Sequence, residues 1–466
     1  MADLPTRRSL TGWGRTAPSV ATVHPVGSAE AAAVVRSAGS RGVLARGLGR
    51  SYGDAAQNAG GDVLVLDPSE RIDLDADRAT AWVGAGVSLD RMIRELLPAG
   101  FFVPVTPGTR HVTVGGAVAS DIHGKNHHVE GTWGRHVRSL DLLTADGRVR
   151  TLGPDGTPDG PAEDFWATVG GMGLTGVVLA AEVGVRPVET SRMRVDTERA
   201  ADLGALMALM AGDDAYTYSV AWIDLLARGR SMGRSVLTRG EHARLDELPP
   251  GRRSDPLGFA AKERLRAPAR VPSGLMNPLS VRAFNEAWFR KAPRVRRDEL
   301  QSLAAFFHPL DGVADWNRLY GRRGLTQYQL VVPDGAERAL EHCVDRISAA
   351  GAASFLAVLK RFGPANPAPL SFPLPGWTLA LDLPADPALA PLFRELDEVV
   401  TGAGGRVYLA KDARTDGATL RRMYPRLPEL LAVKQRLDPD GVFRSDLSRR
   451  LGLTQPDRPA PEGTRP

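Results

Sequence analysis

Glycine gathers in three loops of this 466-residue chain, and that clustering limits the folds open to it. The first loop is Ala45-Arg46-Gly47-Leu48-Gly49-Arg50-Ser51-Tyr52-Gly53-Asp54. The second runs from Pro107-Gly108-Thr109-Arg110 through Thr113-Val114-Gly115-Gly116 to Asp121-Ile122-His123-Gly124-Lys125-Asn126. The third is Gly170-Gly171-Met172-Gly173-Leu174-Thr175-Gly176. With no Cβ, glycine lets backbone turn tightly and crowd whatever it faces, which side chains as bulky as Leu or Val do not allow.

Short periodic segments surround these loops. The patterning predicts a Ser-capped helix over 28–37 and a strand over 42–45 feeding the first loop. Residues 63–66 and 81–85 read as strands, and 88–97 as a helix ahead of the second loop. Residues 140–144 and 148–152, joined by Ala145-Asp146-Gly147, read as a hairpin. A short helix over 164–169 leads into the third loop, and a long strand over 177–185 ends at Pro187. This alternation predicts one α+β domain over 1–188. Beyond it, longer amphipathic segments with few glycine clusters predict a second domain over 189–405, as the length also suggests. Within that domain about 249–300 is rich in Pro and Arg and reads as a mobile excursion. Residues 454–466 read as a disordered tail.

Hydrophobic content of 43% and charged content of 24% suit a globular chain with a sizeable core. No apolar stretch is long enough to span a bilayer. Arg7-Arg8-Ser9-Leu10 faintly echoes an export signal, but polar residues follow where an apolar region should be, so no signal peptide is expected. The single cysteine, Cys343, rules out an intrachain disulfide and reads as a buried, inert thiol on a helix. A net charge of +5 favours an anionic partner, with nothing to support nucleic acid. Only six of the 59 basic residues are Lys. A lysine can lose its proton when buried and an arginine effectively cannot, so each lysine is of interest. Lys125, Lys360 and Lys411 fall in motif-like segments; Lys262, Lys291 and Lys434 read as surface residues.

Glycine-rich backbone also suits a flat, phosphorylated ligand. Tyr52, His123 and Lys125 could reach a reactive ring, so the loops read as two cradles for a large redox cofactor. A Rossmann nicotinamide site is the weaker reading. Asp67 ends a strand downstream of Gly47, but Tyr52 stands where the third glycine of GxGxxG belongs. His123, His127 and His128 lack metal-ligand spacing, and no metal is expected. Val281, Phe284, Trp288 and Phe289 follow helical spacing among Arg282, Arg290, Lys291, Arg294, Arg296 and Arg297. Contact with an anionic lipid surface and packing of the aromatics on their own domain both stay open.

The three loops combine with a late Tyr408-Leu409-Ala410-Lys411-Asp412-Ala413-Arg414 and with Leu370-Ser371-Phe372-Pro373-Leu374-Pro375-Gly376-Trp377. On these segments, and on Leu10-Thr11-Gly12-Trp13-Gly14 near the start, the chain resembles the flavin-dependent oxidase subunits of decaprenylphosphoryl-β-D-ribose 2′-epimerases. These belong to the vanillyl-alcohol-oxidase-like FAD superfamily. The resemblance covers nearly the whole chain and implies a two-domain α+β fold. Its FAD-binding domain is joined by 406–453, and its substrate domain is built on an antiparallel sheet. It implies dissociable FAD, with the pyrophosphate on N–H groups of Arg46, Gly47, Leu48, Gly49, Arg50, Ser51, Tyr52, Gly53 and Asp54 and of Thr113, Val114, Gly115 and Gly116. Ala45, Ala55, Gly108, Ser120, Asp121, Ile122, His123, Val178 and Tyr408 complete the implied cofactor contacts.

By the same resemblance Lys125, Trp222, Gln327, Gln329, Lys360 and Lys411 approach the sugar and phosphate. A phosphodiester needs cations and pentose hydroxyls need amides, which gives Lys125, Lys360, Gln327 and Gln329 a physical rationale. The implied reaction oxidises the ribose 2′-hydroxyl to a ketone. Lys411 is the expected base, and Tyr52 and His123 orient the reactants or share the proton. An NAD(P)H-dependent short-chain reductase would complete the epimerisation toward cell-wall arabinan. Peripheral attachment to either face of the membrane is expected, and oxygen or a quinone as reoxidant stays open. Two departures are visible: Ala380 stands where mycobacterial relatives have Cys, and Phe307 where they have Tyr. An alditol or aldonolactone oxidase is the alternative. A carrier without chemistry would have no use for the glycine cradles.

Overall fold

The computed structural model describes residues 4–261, 265–268, 271–272 and 274–454. Lys262, and residues 455–466 of the tail expected at 454–466, lie outside the described residues. Helices and largely antiparallel sheets make a mixed α+β architecture.

A four-stranded sheet has the order Thr6–Leu10, Ser19–Val26, Asp62–Leu66, Val43–Ala45. Its last two pairings are parallel. That buries Asp62–Leu66 between neighbours, which is why Val63 and Leu64 are both fully covered. A five-stranded antiparallel sheet follows, ordered Ile72–Asp75, Thr80–Gly84, Val177–Gly184, Val137–Leu143, Val149–Leu152. An eight-stranded antiparallel sheet is ordered Val295–Ser302, Arg192–Ala200, Ser235–His242, Tyr218–Ile223, Ala357–Phe362, Gly376–Pro384, Leu325–Pro333, Arg406–Val407. One face of its middle strands carries Ala221, Leu359, Leu379, Leu381 and Tyr328, all buried; side chains alternate, so the opposite face is free for other work.

The glycine loops meet between these sheets. Thr113 caps the helix Val114–Ala119 by accepting from the Gly116 amide at 3.2 Å. The third loop is tied to that helix by Gly170 N–H to Val118 O and Met172 N–H to Ala119 O, both 2.9 Å. The first loop packs on Thr113 so tightly that a Cβ on Gly47 would lie 2.3 Å from its Oγ1. After Arg406–Val407 the chain turns back against the first loop: the Tyr52 amide donates to Ala410 O at 2.9 Å. Arg450 then clamps Asp54 and Asp412 together, at 2.8 Å each.

Two expectations are corrected. The helix Ser28–Arg36 is capped by Gly27, because the Ser28 hydroxyl is donated to the carboxylate of Glu70, a stronger acceptor. Lys434 is buried rather than on the surface; its ammonium bonds Leu174 O, Phe443 O and the Asp438 carboxylate. The helical spacing read at Val281, Phe284, Trp288 and Phe289 falls in a helix, Pro278–Lys291, capped by Asn277 with Pro278 in its first turn, and the sheet's edge strand Val295–Ser302 follows it. The helix's apolar side chains divide: Val281 is buried and Phe289 lies under Arg199 and Arg234, while Phe284 and Trp288 stay half exposed.

A Cβ on Gly53 would sit 2.0 Å from the Asp412 carbonyl oxygen. Gly53→Ala is expected to lower stability by roughly 1–3 kcal/mol, read as a lower denaturant midpoint at unchanged slope.

Candidate active site

A cavity of about 690 Å³ separates the glycine loops from the free face of the eight-stranded sheet. Strand register builds that wall. Val236, Trp222, Val358, Ala380 and Gln329 are successive cross-strand partners and form one row. Lys360 pairs with Thr378, and Gln327 with Asp382, on either side of it. Trp222 anchors its indole on Phe355 O at 3.1 Å.

The opposite wall is glycine-loop backbone. Ala45, Arg46, Gly47, Leu48, Gly49, Arg50, Ser51, Tyr52 and Ala55 line it, as do Gly108, Thr113, Gly115, Gly116, Ser120, Ile122, His123, Val178 and Tyr408. Lys125, Lys360 and Lys411 also reach the cavity. Gly53, Asp54, Val114 and Asp121 do not. Gly53 is pressed on Asp412, and Asp54 is bound by Arg450. Val114 is fully buried, and the Asp121 carboxylate holds Ser371 and Asn366 in the core.

The two loops differ in what their amides can offer. Among the described residues the N–H groups of Gly47, Leu48, Gly49 and Ser51 have no partner in the chain. By contrast Val114 N–H donates to Val87 O and Gly115 N–H to Ala85 O, both at 2.9 Å, and Gly116 to Thr113. The expectation that both loops present amides to a pyrophosphate is therefore corrected. The first two amides of the helix are taken by a neighbouring extended segment and the third by the Thr113 cap, leaving the first loop as the one with open amides.

His123 is buried, with Nε2 facing the Gln329 amide nitrogen at 2.9 Å. An amide nitrogen can only donate, so the ring proton belongs on Nδ1, which has no hydrogen-bond partner among the described residues. Burial, reinforced by Lys360, holds this imidazole well below its usual range, so it is neutral. Tyr408 stacks on Phe372 with centroids 4.9 Å apart and donates its hydroxyl to Ser120 O at 2.7 Å.

Three lysines converge here without a carboxylate within ion-pair distance among the described residues. Lys125 donates to Phe306 O and lies 4.2 Å above the Phe306 ring. Burial, with Lys360 adding repulsion, pushes it down to about 7. Lys360 is lowered to about 8 by burial and then by Lys411. Lys411 lies 4.2 Å above the Tyr52 ring and is lowered to about 8 by burial, with Asp382 pulling the other way. Burial and Asp382 push the Tyr52 phenol well above its usual range, so it remains protonated.

Sequence reasoning missed Asp382, although strand alternation from Ala380 could have found it, and placed no aromatic at the cavity edge, where Phe284 and Trp288 stack 6.0 Å apart. Open loop amides, a long cavity and an unpartnered buried imidazole nitrogen fit a bound flavin dinucleotide.

Residues 20–153 match the FAD binding domain family, and 382–451 match D-arabinono-1,4-lactone oxidase. The chain is 48% identical to the decaprenylphosphoryl-β-D-ribose oxidase of Mycolicibacterium smegmatis, over 96% of this chain and 98% of that protein. The chain belongs to the decaprenylphosphoryl-β-D-ribose oxidase family. Its cofactor is FAD, and it is an FAD-dependent oxidoreductase of the vanillyl-alcohol-oxidase-like type. It is also 44% identical to an uncharacterised protein of Streptomyces coelicolor, over 79% of this chain and all of that one. An alditol oxidase from a Streptomyces strain is 26% identical over 95% of this chain and 99% of its own.

Ala380 lies mid-row in the sheet wall, whereas Cys343 is fully buried and its thiol is pushed up to about 12. The native protein should resist a small maleimide, and Ala380→Cys should take up one label. Mass spectrometry of both proteins checks this.

Proposed function

We propose that the protein oxidises the 2′-hydroxyl of a polyprenyl-phosphoribose, decaprenylphosphoryl-β-D-ribose in the family's own terms, to the 2′-ketone. This is the first half of epimerisation to the arabinose donor for cell-wall arabinan. The observation that carries it is the donor set converging in the cavity: Gln327, Gln329 and Lys360 on the sheet wall with Lys125 and Lys411 beside them, no lysine of the three within ion-pair distance of a carboxylate among the described residues. That donor set suits one phosphodiester and several hydroxyls.

Arg46 to Tyr52, with Gly108, Thr113, Ser120, His123, Val178 and Tyr408, would hold the FAD non-covalently. When bound, it supplies the acceptor for the hydride from C2′. Lys125 and Lys360 hold the phosphate, and Gln327, Gln329 and Trp222 orient the pentose. Lys411, kept partly neutral near pH 8, accepts the hydroxyl proton. Tyr52 stays protonated and orients the sugar, and neutral His123 is held in register by Gln329.

This reading divides the chain into an FAD-binding domain over 1–188 rejoined by 406–453, and a substrate domain over 189–405. An NAD(P)H-dependent short-chain reductase is the partner that takes the ketone. The prenyl chain leaves past Phe284 and Trp288, where half-exposed aromatics beside Arg282, Arg290 and Lys291 suit the surface of an anionic bilayer. No helix among the described residues is long and apolar enough to cross a membrane, which fits peripheral attachment. The lactone-oxidase match over 382–451 favours a second reading, oxidation of a free alditol or aldonolactone. A neutral polyol, however, has no use for desolvated cations.

Adding farnesylphosphoryl-ribose under anaerobic conditions should bleach the flavin spectrum, whereas bleaching by free alditols alone would decide for the second reading. Lys411→Ala should retain FAD and lose at least about 100-fold in the rate of bleaching. Phe284→Ser with Trp288→Ser should weaken co-sedimentation with phosphatidylglycerol vesicles and leave flavin content unchanged.

A further inference from the structure

One group on the polar face of the sheet is unused by the proposed chemistry. Asp382 is fully buried and shares its face of the strand Gly376–Pro384 with Thr378 and Ala380. It pairs in register with Gln327, whose amide donates to Oδ1 at 2.5 Å and to the Tyr52 hydroxyl at 3.2 Å. One side-chain amide thus holds both the carboxylate and the phenol. Oδ2 has no hydrogen-bond partner among the described residues.

A carboxylate buried with one amide and one phenol is poorly compensated unless a cation lies near. The groups that interact with Asp382 are the Tyr52 phenol from the first loop, the Tyr320 phenol from the segment before Leu325–Pro333, and Lys411, none of them an acid that ionises at neutral pH. Lys411 lies 4.2 Å above the Tyr52 ring that Gln327 ties to Asp382, and among the described residues Asp382 is the carboxylate that acts on it.

We propose that Asp382 is the positioning residue for the proton-accepting step, stabilising the ammonium formed when Lys411 takes the substrate's hydroxyl proton and fixing Tyr52 beside it through Gln327. This rests on the assignment of Lys411 as base. The substrate O–H bond breaks, an N–H bond forms at Nζ, and the new positive charge forms close to a fixed negative one. Burial raises Asp382 and lowers Lys411, and each pulls the other back toward its charged form, so a proton arriving on the amine is favoured by the carboxylate.

The sign follows. Without the carboxylate the ammonium loses its partner, so Lys411 titrates at lower pH and is the weaker base. Asp382→Asn should move the midpoint of Lys411 acetylation by trace acetic anhydride, read by mass spectrometry across a pH series, about one pH unit toward acid. The ascending limb of the flavin-bleaching rate should move the same way, and its plateau should fall about tenfold. Gln327→Leu, which withdraws the donor from the carboxylate and favours its neutral form, should shift the acetylation midpoint in the same direction. Flavin content and the melting curve report folding separately. Midpoints that match the native protein in both variants would overturn the proposal even if Lys411→Ala is inactive. An active Lys411→Ala would overturn the base assignment beneath it, whatever the acetylation shows.

Discussion

Backbone packed directly on backbone around the first glycine loop is the contact on which the rest of the structure depends. Trp13 N–H donates to Ser51 O at 2.7 Å, Gly14 N–H to Tyr52 O at 3.0 Å, and Leu325 N–H to Gly14 O at 2.8 Å. Tyr52 N–H continues the series to Ala410. A Cβ at Gly12 would fall 2.1 Å from Gly53 O, and one at Gly14 would fall 2.4 Å from Leu325 O. These are distances no side chain tolerates, so the N-terminal segment, the loop, a central strand and the returning chain can meet only where glycine stands. That meeting puts Tyr52 and Lys411 in the same cavity although they are far apart in sequence.

The cavity itself is electrostatically unbalanced. Most buried charges in this protein are paired: Arg414 with Asp397, Lys434 with Asp438, Arg450 with Asp54 and Asp412. Lys125 and Lys360 are not, Lys411 has only Asp382, beyond ion-pair distance, and burial lowers all three. Desolvated cations without counter-ions are unfavourable in the empty cleft and favourable once an anion enters. On the proposed reading, the same imbalance that costs stability selects a phosphorylated sugar over a free one. It also holds an amine near the pH at which it can accept a proton.

Much of the site was legible in the chain. Glycine clusters are read by spacing, and rare lysines stand out in an arginine-rich composition, so the loops and Lys125, Lys360 and Lys411 could be singled out before any fold was known. Lys434 shows the limit of that reasoning. A lysine on a helix reads as solvent-facing, yet here it satisfies two carbonyls and Asp438 from within the core. Asp382 shows the converse, since an acid in an apolar strand carries no motif and gains meaning only from the partners that register places opposite it. The second loop was misjudged for a similar reason: its amides look free in one dimension and are consumed by Val87 and Ala85 in three.

Taken alone, the amino-acid order determined the local facts: where backbone can turn without a Cβ, which strands have a buried face, and which segments match an FAD-binding oxidase family. Tertiary structure decided which amides remain open, which face of the eight-stranded sheet becomes a polar wall, and which charges stay unpaired. The physical reason is that periodicity and glycine placement act within a few residues. Hydrogen-bond satisfaction and desolvation instead depend on atoms that meet only after distant strands have set their register.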